Sequence, residues 1–391
     1  MTALAVAATR SVAPAATLEI DLAAVGHNAA LLARTVAPTA ALMAVVKADG
    51  FGHGAIDVAR TALTHGATWL GVTGLTEALD LRGAGLTAPL LSWLNPVDLD
   101  AATALEARVD LAVPSIAHLR TIATAAHPSR PAHVHLHLDT GMARDGAAPE
   151  EWTELCLAAR AVERTGRVRI VGLMGHLACA DAPGHPANAA ARARFARGTA
   201  VARALGLRPT HRHLAATSAA LTDPLTHHDL VRAGAGLVGI DPTGAPDRHG
   251  LRPAMRLTAP VVGVRRVPAG TGVGYGHTHL TDRATTLALL PLGYADGLPR
   301  LASGRAEVLL AGRRRSIVGR ISMDQVVVDL RDDAVVPGTP ATVLGPGDDG
   351  EPTAADWAAW SDSLEHEVLT GLGTRPRLLH TTRTPQLRSL S

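Results

Sequence analysis

The sequence is short of several things, and each shortage excludes a class of protein. It has two cysteines, Cys156 and Cys179, too few for a disulfide framework and in no metal-ligand spacing; the expectation is a reducing cytoplasm and no metal site. It has no apolar run of membrane-spanning length. Its first residues, MTALAVAATRSVAPAATLEI, are Ala-rich but lack the basic-then-apolar order of a signal peptide, so residues 1–16 are expected to be a flexible tail. Charge of one sign is also missing. With a formal net charge of +2 and scattered arginines, neither nucleic acid nor an anionic membrane is expected as a partner. Aromatics are the scarcest class, with two tyrosines and two phenylalanines. Where the apolar bulk is Ala, Leu and Val, a tyrosine is less apt to be filler.

At 391 residues, nearly half of them hydrophobic, the chain is long enough for two globular domains or a barrel plus a smaller unit. From about Thr17 to Gly250, β-like runs alternate with helical stretches. The runs are LMAVVKA, TWLGVTG, APLLSWL, VDLAVP, HVHLHLD, VRIVGLMGHL, HRHLAATS and LVRAGAGLVGI. AIDVARTALTHG, LTEALDLRGAG and WTELCLAARAVERTG read as helices between them. Some eight units predict an α/β fold, a (β/α)8 TIM-type barrel over residues 17–250. From 251 to 391 the texture is β-rich with turn glycines until AADWAAWSDSLEHEVLTGLG, which predicts a second, mainly antiparallel β domain.

Chemistry concentrates at predicted strand ends. Lys47, in AVVKADGFGHG, closes the first barrel strand at the face where barrel active sites assemble. A strand-end lysine commonly snorkels to solvent, but an amine beside a glycine turn that admits a ligand can form an imine. Tyr275, in GVGYGHTH, sits on a glycine turn from which a side chain can be aimed, or can simply cap an apolar edge. Three late strand ends contribute His176, His213 with Thr217, and Arg232, and the small residues Gly234 and Ala235 that follow could make a phosphate cradle. LDTGMARDG adds Arg144, suited to a carboxylate; GRISMDQ adds Met323 and Asp324, with strand packing as the plain alternative.

These segments, together with PLGYADGLPR and its Tyr294, resemble in order the signature stretches of bacterial alanine racemases, from about Leu18 to Leu379. The resemblance implies a pyridoxal 5'-phosphate enzyme working as a head-to-tail homodimer on an amino-acid substrate, most simply alanine, and supplying D-alanine for peptidoglycan. It implies Lys47 as the cofactor-bearing lysine and one base, and Tyr275 as the other base, entering the partner subunit's site. It further implies Arg232 on the pyridine nitrogen, His213 bracing that arginine, His176 paired with the tyrosine, and Arg144 and Met323 as substrate contacts. Asp324 and Tyr294 are carried as supporting residues.

The chain departs from the family's usual pattern at Phe51 and Val238, where tyrosines are common, and at Ala216 and Thr217 in place of an Asn-Ser pair. It departs again at His137 in place of a lysine, and at Gly373 and Thr374 near the entrance. The alternatives are a specialised paralogue acting on another amino acid such as serine, a decarboxylase on a related barrel, and a pyridoxal phosphate carrier. Arg232 counts against the decarboxylase and the Tyr275 domain against the carrier.

Overall fold

The structure, a computed structural model, describes residues 16–372 and 377–382. Of the expected tail only residue 16 falls within that range; Gly373 and Thr374 fall outside it. The chain divides into two compact units, one of Asp21–Ala254 and one of Met255–His380 joined by the segment ending at Ile20.

Strand β1 is Thr17–Asp21; it pairs antiparallel with a strand at Met255–Pro260 rather than with any barrel strand. The barrel strands are β2 Ala41–Val45, β3 Trp69–Val72, β4 Leu90–Ser92, β5 Asp110–Val113, β6 Ala132–His137, β7 Val168–Met174, β8 His211–His213 and β9 Leu230–Ala233. They form one parallel sheet in the order β8-β7-β6-β5-β4-β3-β2-β9. Hydrogen bonds from Asp229 N–H to the Arg212 carbonyl and from Arg232 N–H to the Ala215 carbonyl bring β9 back against the β8 segment. The expected barrel is present, and each of the eight runs supplies one of its strands.

Alternation along the strands sorts side chains into two cores. Leu42, Ala44, Leu70, Leu90, Leu111, Val134 and Leu136 face the surrounding helices, whereas Met43, Val45, Trp69, Leu91, Ala112, Met174 and Leu230 fill the barrel interior. The three expected helices appear at Ala55–Thr64, Leu75–Gly83 and Trp152–Arg164. The longest helix, Pro186–Ala204, starts at a proline and carries arginines between its alanines.

The second unit is a nine-stranded sheet with β1 inside it, in the order β11-β14-β17-β16-β15-β18-β10-β1-β19. Its strands are β10 Met255–Pro260, β11 Gly263–Val267, β14 Thr285–Leu290, β15 Glu307–Leu310, β16 Arg313–Val318, β17 Val326–Arg331, β18 Pro340–Leu344 and β19 Arg377–Thr381, with a two-stranded ribbon, β12 Gly272–Val273 and β13 His279–Leu280. Every strand pairing described for it is antiparallel, as expected. The stretch AADWAAWSDSLEHEVLTGLG, where the β-rich texture was expected to end, folds as two helices, Ala354–Ser361 and Glu365–Gly371, because Asp362 takes a left-handed conformation that ends the first.

Candidate active site

Lys47 is the only lysine in the chain; every other basic side chain of the arginine–lysine class is arginine. Arginine serves as well as lysine on a surface but cannot give up its proton. A chain that keeps a single lysine keeps it where a neutral amine is needed. Lys47 follows β2, and its pKa is lowered, first by burial and then by the Arg144 guanidinium, with Glu77 pulling the other way.

The backbone after it turns in an unexpected way. Ala48, Asp49, Gly50 and Phe51 all have positive φ, a single left-handed turn that only Gly50 adopts without steric cost. Two carboxylates hold it: Glu77 accepts from the Ala48 N–H at 2.7 Å and Asp49 accepts from the Ala55 N–H at 2.8 Å. The turn brings the Phe51 ring over Gly234, where an added methyl group would sit 2.8 Å from the ring. Glu77 also accepts from Thr73 and Gly74, so in sequence it looks like a helix-capping residue and its place beside Lys47 is invisible.

Arg232 projects into the barrel and is buried. Its Nη1 donates to Nδ1 of His213 at 2.8 Å and to the His213 carbonyl at 2.9 Å. Its Nη2 donates to the Gly175 carbonyl at 2.8 Å, the Leu214 carbonyl at 3.2 Å and Nδ1 of His176 at 3.1 Å. The Nε–H makes no hydrogen bond among the described residues, which leaves one donor for a ligand. Burial brings the guanidinium down to about 10, so it remains charged at neutral pH. Burial and then Arg232 push His176 down to about 3, and the same causes push His213 well below its ordinary value; both imidazoles are neutral. Thr140 braces His176, its hydroxyl donating to the His176 carbonyl and accepting from the His176 N–H.

Thr217 Oγ1 accepts from the N–H groups of Gly234 at 3.3 Å and Gly236 at 3.2 Å, shaping the glycine turn that leads into the short helix Ala235–Val238. Val238 is buried in that helix, and Ala216 precedes the helix Thr217–Thr222. Arg144, His137 and His176 line one small cavity. His137, buried, places Nδ1 3.4 Å from the Asp145 carboxylate, without hydrogen-bond geometry. His137 holds Asp145 below its usual range.

The barrel unit therefore gathers Lys47, Arg144, His176, His213, Thr217, Arg232, Gly234 and Ala235. The remaining site residues lie in the other unit. Tyr275, on the short turn Tyr275–His277, is 71 % exposed, and Met323 and Tyr294 are exposed as well. Gly274 and Gly276 border Arg320. The Tyr294 N–H donates to the Ser322 carbonyl and the Ala295 N–H to the Met323 carbonyl, so Tyr294, Met323 and Asp324 come from two joined loops. Both tyrosines of the chain belong to this unit.

The barrel residues suit pyridoxal phosphate: one deprotonatable amine, a buried cation with a spare N–H for a ring nitrogen, and a glycine turn without side chains for a phosphate. Among the described residues no group of His, Cys, Asp and Glu is arranged to hold a metal ion.

Residues 20–242 match the family described as alanine racemase, N-terminal domain, and residues 254–379 match alanine racemase, C-terminal domain. The alanine racemase of Thermobifida fusca is 47% identical over 361 residues, covering 92% of this chain and 96% of the relative. Among solved structures, alanine racemase from the D-cycloserine producer Streptomyces lavendulae superposes with a TM-score of 0.93 at 43% identity, over 96% of this chain and 99% of that one. The Bartonella henselae alanine racemase, solved with covalently bound pyridoxal phosphate, superposes with a TM-score of 0.85 at 28% identity, over 94% of this chain and 99% of that one.

Proposed function

The chain belongs to the alanine racemase family, and from that premise we propose that it interconverts L- and D-alanine with Lys47 and Tyr275 as its two bases. The observation that carries the assignment of Lys47 is its solitude: no other side chain can hold pyridoxal phosphate covalently through an amine. When bound, the cofactor supplies a conjugated, electron-withdrawing ring that acidifies the Cα–H of the amino acid it carries.

The chain's own residues do the rest. Lys47, its proton affinity lowered by burial and Arg144, anchors the cofactor and then takes or returns a proton at Nζ on one face of Cα. Tyr275 does the same at its phenolic oxygen on the other face, because inversion needs a base on each side. Arg232, staying charged, would donate to the ring nitrogen of the bound cofactor and so would leave that nitrogen unprotonated, which would keep electron withdrawal modest and favour return of the proton over side reactions. His176 orients the tyrosine, Thr217 and the Gly234–Ala235 turn shape the phosphate end, and Arg144 with Met323 receives the substrate carboxylate. Asp324 and Tyr294 support that side.

The working enzyme is a homodimer in the cytoplasm, each Tyr275 completing the partner's site, and its D-alanine feeds peptidoglycan. The exposure of Tyr275, Tyr294 and Met323 supports this, since a base must be covered to work and these residues are open on the single chain. No helix among the described residues is long and apolar enough to cross a membrane.

The test is proton NMR of a panel of L- and D-amino acids with the cofactor-loaded enzyme in deuterated water, following α-proton loss and chirality together. Alanine should exchange and invert fastest. If serine or another amino acid outruns it, the substrate assignment fails and the departures at Phe51, Ala216, Val238 and His137 become the place to look.

A further inference from the structure

Below Arg232 and the His213 that braces it, the barrel interior holds a column of further polar side chains that the proposed chemistry does not use. His213 Nε2 lies 2.8 Å from Nδ1 of His135, and His135 Nε2 lies 3.4 Å from Oδ2 of Asp110, at the start of β5 and so at the opposite end of the barrel from the Lys47 mouth. His135 and His213 are fully buried. Trp69 meets His135 edge-on with ring centroids 5.7 Å apart. Gly172 makes room for the His135 ring; a methyl group there would collide with it.

The donors and acceptors along this column allow one arrangement. Arginine only donates, so Nδ1 of His213 must accept and its proton must sit on Nε2. That N–H needs an acceptor, so Nδ1 of His135 is bare and its proton is also on Nε2. The chain then ends on a group that can only accept, the Asp110 carboxylate. If His135 took the other tautomer, two N–H groups would face each other at His213. If His213 switched in response, its N–H would face the Arg232 guanidinium. The arginine at one end and the carboxylate at the other thus impose the same two tautomers, and without the carboxylate only the arginine end holds them.

We propose that Asp110 is a positioning residue for Arg232, acting through His135 and His213, each held as the Nε2–H tautomer. The proposal rests on the reading that Arg232 faces the cofactor ring nitrogen. Asp110 is itself steadied: burial pushes its carboxyl up, but the His133 imidazole 3.5 Å away and the His135 imidazole 3.4 Å away outweigh burial and hold it at about 2, and His133 is raised in return. Arg82 and His211 are the other titratable groups that feel this carboxylate, so it stays ionised through the neutral range.

The experiment is ¹⁵N NMR of histidine-labelled, cofactor-loaded enzyme, which distinguishes ring tautomers, on wild type, Asp110→Ala and Gly172→Ala. Wild type should show Nε2–H at both His135 and His213. Asp110→Ala should turn His213 into a tautomer mixture and lower kcat about tenfold with KM nearly unchanged, the size expected for losing one charge-assisted hydrogen bond. Gly172→Ala, which displaces the His135 ring without touching a charge, should disturb the same His213 signal, so the proposal stays testable if Asp110→Ala fails to fold. An Nδ1–H tautomer at either ring in wild type, or a His213 signal unmoved in a folded variant, overturns the relay. A mixed His213 tautomer with unchanged cofactor absorbance upholds the relay and overturns instead the placement of Arg232 on the ring.

Discussion

The lone lysine gives a prediction at the scale of one residue. Borohydride reduction of the cofactor-loaded enzyme should fix one pyridoxyl group per chain, on Lys47, and none on Lys47→Arg, as read by peptide mass spectrometry; a label elsewhere removes Lys47 from its role. In Lys47→Arg, racemisation should fall on the order of 10⁴-fold, because guanidinium can neither carry the cofactor nor act as a base. The pKa direction adds a pH dependence. With the folded amine below its ordinary 10.5, it becomes nucleophilic at lower pH than free lysine. Capture of pyridoxal phosphate by apoenzyme, followed by absorbance, should therefore reach half its maximal rate below pH 10.5. A midpoint at or above that pH would mean the amine is not desolvated. For Tyr275→Phe, α-proton exchange should drop roughly 10²- to 10⁴-fold from L-alanine and far less from D-alanine. Equal losses from the two enantiomers would sink the assignment of one base to each face.

At the scale of elements, the turn after β2 and the turn after β9 show where the sequence could be read and where it could not. The barrel strands were legible because each is a short apolar run closed by a turn, a pattern local to a few residues. The left-handed turn at Ala48–Phe51 was not, because three of its residues are poor at positive φ and are held there by Glu77 and Asp49 through contacts that no local pattern reveals. His135 and Asp110 were hidden for the same reason: each reads as one polar residue in a strand, and only the closed barrel aligns them. The strand β1 fell among the barrel residues in sequence because nothing within its five residues points to a partner more than 230 residues away. The turn after β9 carries a further test. Thr217→Val removes the shared acceptor of the Gly234 and Gly236 N–H groups, costing about 1–3 kcal/mol if both stay buried and unpaired. Apoenzyme should unfold at lower urea, and the Kd for pyridoxal phosphate should rise by about tenfold. Thr217→Ser, which keeps the hydroxyl, should restore both; a silent Thr217→Val would show that the turn needs no clamp.

For the whole molecule, the division of the site residues between two units sets the question of how one chain completes its chemistry. The barrel holds the amine, the buried arginine and its histidines, whereas both tyrosines lie in the β unit, with Tyr275 largely open to solvent. If each site is built from the barrel of one subunit and the β unit of its partner, two dead variants can rescue each other. A Lys47→Ala subunit still offers an intact Tyr275, and a Tyr275→Phe subunit an intact Lys47. In a hybrid dimer one site then receives both native bases and the other receives neither. Random reassortment after mild dissociation makes half the dimers hybrid with one working site each, so activity should return to about a quarter of wild type. The parent variants incubated separately under the same conditions should stay inactive. If each subunit instead closed its own β unit over its own barrel, every site in the mixture would still lack one base. No recovery in a mixture shown by native mass spectrometry to contain hybrid dimers would place Tyr275 in its own subunit's site.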